Sequence, residues 1–204
     1  MAHHELGFRQ AHSTIQHCHR VTHTILKALN NKENCTSVFL DVSQAFDRVW
    51  HPGLLYKIKK HLPSFFPPLQ SHLSDRQIRT RVTREVSPLF PINSGVPQGS
   101  VPGTTLYLLF TSDLPQAPNI AIGTYADDIV ILTCHNDIHR ASSCLQAYLH
   151  KFQSWLQRWK IKINESKSTY LTFTLRNDPS PPIYIDTRNV QTPPAATVKC
   201  LGLH

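Results

Sequence analysis

Three carboxylates stand where a folded chain seldom places them. Asp41 closes the apolar run 37–42, and Asp127-Asp128 interrupts two further apolar runs, 120–125 and 129–133. If those runs are neighbouring strands, the three side chains gather at one sheet edge, where their like charges repel unless a cation lies between them. Mg²⁺ suits such a cluster: it prefers hard oxygen ligands, takes one or two carboxylates, and completes its shell with water and substrate phosphates. Two such ions about 4 Å apart can activate an attacking hydroxyl and stabilise the leaving oxygen of an in-line displacement. An Asp-Asp pair alone is an ordinary turn, and Asp41 alone is equally well read as a helix cap or a local turn. A second loop, Gly95-Val96-Pro97-Gln98-Gly99-Ser100, combines backbone freedom with an amide that both donates and accepts, just ahead of the apolar run 106–110.

Positioning these groups requires a mixed fold. The run 37–42 reads as a buried strand with Asp41 near its end. The split run 120–133 reads as a tight hairpin with carboxylates at its tip. Residues 77–83 alternate Ile78, Thr80, Val82 against Arg79, Arg81, predicting a half-buried strand with a basic face, and 85–92 is its hairpin partner. Strands are also predicted at 168–174 and 183–185. Helices are predicted from Ser13 through the stripe Ile15, Cys18, Val21, Ile25, Leu29; from Pro52 through Leu55, Ile58, Leu62 to the stop at Pro63; and along Ala141, Cys144, Leu145, Tyr148, Phe152, Trp155, Trp159. Without strict strand–helix alternation, this predicts an α+β domain with helices on one side of a largely antiparallel sheet.

The chain has 204 residues, 40% of them hydrophobic, enough for a core. Lys plus Arg number 21 against 13 Asp plus Glu, a formal +8 that favours polyanionic partners but does not by itself separate nucleic acid from a membrane surface. No apolar run approaches the roughly 20 residues of a bilayer span, and 1–10 lacks the apolar core of a signal peptide. Cys18, Cys35, Cys134, Cys144 and Cys200 are odd in number, widely spaced and free of Cys-x-x-Cys. A reducing, intracellular setting is therefore expected, with no membrane partner. His17, Cys18, His19 and His23 place two ligands on one helix face, short of the three or four that zinc needs. They are read as solvated or nucleic-acid-facing.

Taken together and in order, Phe39-Leu40-Asp41-Val42-Ser43-Gln44-Ala45-Phe46-Asp47, then Gly95-Val96-Pro97-Gln98-Gly99-Ser100, then Tyr125-Ala126-Asp127-Asp128 resemble the reverse transcriptases of non-LTR, LINE-like retrotransposons, most closely the jockey type. Leu6-Gly7-Phe8-Arg9 with His12-Ser13-Thr14, Leu73-Ser74-Asp75-Arg76, the lysine-bearing segment 159–167 and Lys199-Cys200-Leu201-Gly202 extend the resemblance almost end to end. It implies a polymerase palm with partial fingers over 1–204, of which 1–36 are fingers and 37–204 mainly palm, without a thumb. It implies RNA-directed DNA synthesis using two Mg²⁺ ions, or Mn²⁺ in their place, on an RNA template with a DNA primer and dNTP. Action in the nucleus is implied as well.

By position in the motifs, Asp41, Asp127 and Asp128 are the implied catalytic metal ligands, and the Val42 carbonyl a further oxygen. Phe46 falls at the steric gate that rejects a 2′-OH. Gln98 and Gly99 line the incoming nucleotide, and Lys167 neutralises the pyrophosphate. Arg76, Arg79, Arg81 and Arg84 follow template or primer phosphates, where each contact adds salt sensitivity. One departure stands out: after Val101 the family has Leu-Gly-Pro, and this chain has Pro102-Gly103-Thr104. The alternative to a working polymerase is a truncated, inactive relic that only binds nucleic acid. A metal-dependent nuclease would not require the Gln98 loop or Phe46, and a pure interaction module leaves the carboxylates unexplained.

Overall fold

Two helices deliver the chain to the strands that matter, and both stop in the same way. In the computed structural model, which describes residues 14–176, 179–184 and 193–194, α1 (Thr14–Asn30) ends where Lys32 adopts φ 59°. Lys32 N–H then bonds the Leu29 carbonyl at 2.9 Å and Glu33 N–H the Ala28 carbonyl at 2.9 Å. That pair of bonds is the Schellman pattern, here with lysine where glycine is usual. The chain reverses directly into β1 (Asn34–Asp41).

The chain divides into two compact units, one formed by 1–43 with 114–204 and the other by 44–113. In the first unit β1 is followed by β6 (Ile120–Tyr125), β7 (Asp128–His135), α5 (Ile138–Trp159) and β8 (Thr169–Phe173). The strands form one antiparallel sheet of order β6-β7-β1-β8. β1 is buried from Asn34 to Leu40, and Asp41 is the first residue to reach solvent. A continuous apolar run is what a central strand covered on both faces needs. α1 covers the face that carries Cys35, Phe39, Val130 and Leu132, packing Val21 and Ala28 against them. α5 packs on β1 and β7. It is capped by Asp137, whose Oδ1 accepts from His139 N–H at 2.8 Å and Arg140 N–H at 3.3 Å. It ends in a second Schellman turn at Lys160, φ 56°.

The second unit holds α2 (His51–His61), α3 (Phe66–Leu73), four short strands and α4 (Val101–Thr111). The strands are β2 (Gln77–Ile78), β3 (Arg81–Val82), β4 (Glu85–Val86) and β5 (Phe90–Pro91). β2 pairs with β5 and β3 with β4, making the expected hairpin. Its burial differs from expectation: Ile78 is 55% and Val82 67% exposed, so the ribbon is open on both faces rather than half-buried. Inside the unit Lys57 is buried, donating to the Phe110 carbonyl and to Asp113.

The α+β class, the antiparallel sheet, the hairpin around Asp127 and the three long helices match the sequence reading. The faces of two helices do not. α1 was expected to bury Ile15, which is 75% exposed, while His17 is fully buried. α2 buries Leu54, Lys57 and Ile58 and leaves Leu62 exposed. Of the two late strands, 168–174 is β8, whereas 183–184 forms no regular strand and 185 lies outside the described residues. The segments 6–9, 12–13 and 199–202 lie outside them too.

Candidate active site

Asp41 and Asp128 are direct cross-strand partners in the β1–β7 ladder. The next pair outward fixes their spacing, because Val42 N–H donates to the Asp127 carbonyl at 2.9 Å. Antiparallel pairs alternate between hydrogen-bonded and non-hydrogen-bonded, so Asp41 and Asp128 form a non-hydrogen-bonded pair. In that kind the Cα atoms approach to about 4.5 Å and the side chains share one face. Two carboxylates are thus brought together by backbone register.

The turn that carries Asp127 is as short as a hairpin allows. Tyr125 pairs with Asp128, leaving only Ala126 and Asp127 between the strands. Ala126 takes φ 56°, while Asp127 does not share its positive φ, the sign pattern of a type II′ turn, which normally places glycine first. A Cβ there costs strain of about 1–3 kcal/mol, a feature that clusters at functional sites. Asp127 is exposed, and Asp128 and Asp41 are half-buried.

On its other edge Asp41 is clamped by the segment after α5. Asn164 N–H donates to the Asp41 carbonyl at 2.8 Å, and Ser43 N–H to the Lys162 carbonyl at 2.8 Å. Asp41 N–H points at Ser168 Oγ at 3.4 Å, and that hydroxyl donates to the Asn164 carbonyl at 2.7 Å. Within these bonds the Val42 carbonyl is not an acceptor. Lys167, 66% exposed, brings its Nζ to 3.7 Å from Asp41 Oδ1, a loose ion pair. Neither Asn164 nor Ser168 was legible as a site residue, since Asn164 acts through its backbone N–H and a single serine hydroxyl carries no site signature.

His17 is the larger omission. It is fully buried, its ring centroid 6.3 Å from that of Tyr125, and a Cβ placed on Gly123 would lie 2.6 Å from its Cε1. Glycine in a strand interior often marks such a close approach, and Gly123 was the available signal. Neither ring nitrogen has a hydrogen-bond partner. Burial, reinforced by Arg20, lowers its pKa below the ordinary histidine value. The imidazole beside Gly123 and Tyr125 is therefore neutral, not solvated as its sequence context suggested.

Asp41, Val42, Asp127, Asp128 and Lys167 thus converge at one end of a single sheet. Phe46, Gln98, Gly99 and the four arginines belong to the unit 44–113. There Phe46 stacks on Tyr107, centroids 4.7 Å apart. Its carbonyl accepts from Val96 N–H at 2.9 Å, and Gly95 N–H donates to the Val49 carbonyl at 2.9 Å. A Cβ on Gly95, φ 93°, would lie 2.8 Å from the Asp47 carbonyl oxygen. That contact explains the glycine and ties the Gln98 loop to the Phe46 turn. Gln98 and Gly99 are exposed. Pro102 falls in the first turn of α4, where a missing N–H costs nothing, and Ser100 Oγ caps the helix by accepting from Gly103 N–H at 3.0 Å. Arg79, Arg81 and Arg84 are exposed along the ribbon and Arg76 is half-buried at its base.

The donor set fits a hard divalent cation. It offers two carboxylates at the closest cross-strand spacing and a third in the adjoining turn, with open positions left for water and phosphate. Among the described residues no group of three or more His, Cys, Asp or Glu is already drawn together as a metal cage. Among them, too, no helix is long and apolar enough to cross a membrane.

A family model described as reverse transcriptase (RNA-dependent DNA polymerase) matches residues 1–204. The chain is 42% identical, over 98% of its length, to a probable RNA-directed DNA polymerase from transposon X-element of Drosophila melanogaster, covering 22% of that protein. It is 41% identical, over 92% of its length, to the RNA-directed DNA polymerase from mobile element jockey of the same organism, covering 21% of it. The chain spans about a fifth of the length of these curated relatives. Among solved structures, apo telomerase from Candida tropicalis truncated from its C-terminal domain aligns with a TM-score of 0.63 at 14% identity. That match covers 86% of this chain and 37% of the other. Telomerase from the same organism in complex with a TWJ fragment of telomeric RNA aligns with a TM-score of 0.58 at 14% identity, over 83% and 30%. These likenesses carry the fold.

Proposed function

The chain belongs to the reverse transcriptase (RNA-dependent DNA polymerase) family, and from that premise we propose that it supplies the catalytic core of an RNA-directed DNA polymerase of transposon origin. The observation that carries the reading is the register pairing of Asp41 with Asp128 beside the Asp127 turn.

In this reading Asp41, Asp127 and Asp128 hold two Mg²⁺ ions, or Mn²⁺, and the Val42 carbonyl offers a further oxygen. Bound metal supplies an acidified primer 3′-hydroxyl and charge compensation on the departing pyrophosphate. The protein's own part is positional. The β1–β7 register and the 162–168 clamp fix the carboxylates, so little reorganisation accompanies the reaction. Lys167, already facing Asp41, brings a cation to the place where phosphate charge accumulates. Phe46 acts as the ring that excludes a 2′-OH, held by Tyr107, and Gln98 with Gly99 lines the nucleotide. Arg76, Arg79, Arg81 and Arg84 bind template or primer phosphates. An RNA template is the partner that the family supports, and a solved fold-neighbour is in complex with RNA. A DNA primer, dNTP and a nuclear site of action complete the proposal.

The test is dNTP incorporation on a primed RNA template in Mg²⁺, by residues 1–204 and by the same segment embedded in the flanking sequence of a longer relative. Asp127→Asn and Asp41→Asn are expected to abolish incorporation while leaving template binding intact. Unchanged incorporation in Asp127→Asn would falsify the assignment, and template degradation without dNTP would assign a nuclease instead.

A further inference from the structure

Outside the carboxylate end, the β1–β7 ladder holds a second pair of reactive side chains. Cys35 and Cys134 are direct cross-strand partners. Three full alternations separate them from Asp41 and Asp128, so they too form a non-hydrogen-bonded pair. Their Cα atoms fall at about 4.5 Å, inside the span of about 4.4–6.8 Å that a disulfide bridges. Both are free thiols, placed opposite each other across the two strands. We propose that Cys35 and Cys134 form a redox-active dithiol, oxidised by hydroperoxides to a cross-strand disulfide that staples β1 to β7.

The two thiols are unequal in a way that assigns their roles. Cys35 is fully buried against Val21, Ala28 and Leu132 of the core. Cys134 is half-exposed and lines a shallow open cavity of about 320 Å³ with Asn119, Ile120, Leu132 and Thr133, room enough for a small peroxide. The hydrogen bond from Cys35 draws the Cys134 thiol down, against burial and the Glu33 carboxylate, while that bond and burial push Cys35 up. Cys134 is the attacking sulfur and Cys35 the resolving one.

In the first step the Cys134 thiolate attacks one peroxide oxygen. The O–O bond breaks, the other oxygen leaves as alkoxide or hydroxide and takes up a proton, and Cys134 becomes a sulfenic acid. In the second, the Cys35 sulfur gives up its proton and attacks the Cys134 sulfur, and the S–O bond breaks to release water. Two thiols lose two electrons and two protons in all, and one hydroperoxide is reduced to an alcohol, or to water, plus a second water. The staple closes the end of the ladder opposite Asp41 and Asp128, fixing their strands without touching either carboxylate.

The experiment exposes the full chain to hydrogen peroxide, blocks remaining thiols, and maps peptides without reductant. It runs on the unmutated chain and on a Cys18→Ser, Cys144→Ser, Cys200→Ser background, so that a folding defect in the variant leaves the result readable. The expected product is a Cys35–Cys134 linked peptide lighter by two hydrogens, reversed by dithiothreitol and accompanied by a higher urea midpoint. In Cys35→Ser, dimedone should label Cys134 faster than the exposed Cys144. The idea is overturned if oxidation leaves both thiols titratable, if Cys134 proceeds to sulfinic acid unlinked, or if Cys144 is labelled first.

Discussion

Replacing His17 with leucine should stabilise the protein and remove part of its acid sensitivity. The imidazole is fully buried beneath Gly123 and Tyr125, and both ring nitrogens lack partners. A buried polar group left unsatisfied costs about 1–3 kcal/mol, whereas an apolar swap of similar volume usually costs less than about 1.5 kcal/mol. The balance favours His17→Leu by up to about 3 kcal/mol at pH 7.5.

The pH dependence follows from the lowered pKa. Below pH 6.5 the unfolded chain binds a proton on this residue that the folded chain refuses, so stability falls as pH drops from 6.5 toward the folded-state value. The limiting slope for one proton is about 1.4 kcal/mol per pH unit. Urea unfolding followed by the fluorescence of the buried Trp155 and Trp159, at pH 7.5, 6.5 and 5.5, isolates this term as the gap between variant and wild type. The gap should widen toward pH 5.5, since the other twelve histidines are common to both. A gap that stays constant across this range, or a His17→Leu protein less stable than wild type at pH 7.5, would refute the reasoning.

Gly123→Ala drives a Cβ to 2.6 Å from the same ring and should destabilise by about 1–3 kcal/mol. Adding His17→Ala should recover part of that loss, a coupling that a double-mutant cycle in urea measures. Burial lowers Lys57 from 10.5 to about 8 even though Asp113 opposes the shift. The folded state therefore gives up this proton first, and wild-type stability should rise between pH 8 and 10.5. Lys57→Met should flatten that rise, the loss of its partner being softened because Asp113, 41% exposed, rehydrates. Ser100→Ala removes the α4 cap and should lower stability by about 1 kcal/mol in the same assay.

What the sequence made legible was whatever hydrophobic periodicity and turn chemistry encode. β1, the 120–135 hairpin and α5 each carry a strong pattern, and the Asp41 to Asp128 pairing needs only that two strands be neighbours. What it hid were polar residues in apolar places. Periodicity scores His17 and Lys57 as solvent-facing, so both helix faces were rotated by a residue or two. The buried face of α1 runs through His17, Val21 and Ala28; Gly123, lacking a Cβ, leaves room for the His17 ring, and close approach has no periodic signal. The clamp of 162–168 on Asp41 is made of backbone bonds and one serine hydroxyl between segments far apart in the chain, which composition cannot encode.

The same contrast bears on which parts of the site tolerate change. Asp41 and Asp128 owe their proximity to ladder register, and slipping that register by one residue would turn every side chain of β1 to the wrong face. The fully buried run of β1 therefore protects the carboxylate geometry at the same energetic cost that protects the core. Asp127 has no such protection. It sits in a two-residue turn with Ala126 at φ 56°, joined to β1 by one Val42 hydrogen bond. Ala126→Gly should relieve the strain, stabilising the fold by up to about 1 kcal/mol, while loosening the turn and so lowering incorporation at fixed Mg²⁺. A gain in stability with undiminished incorporation would mean that the strained turn contributes nothing to holding Asp127 in place.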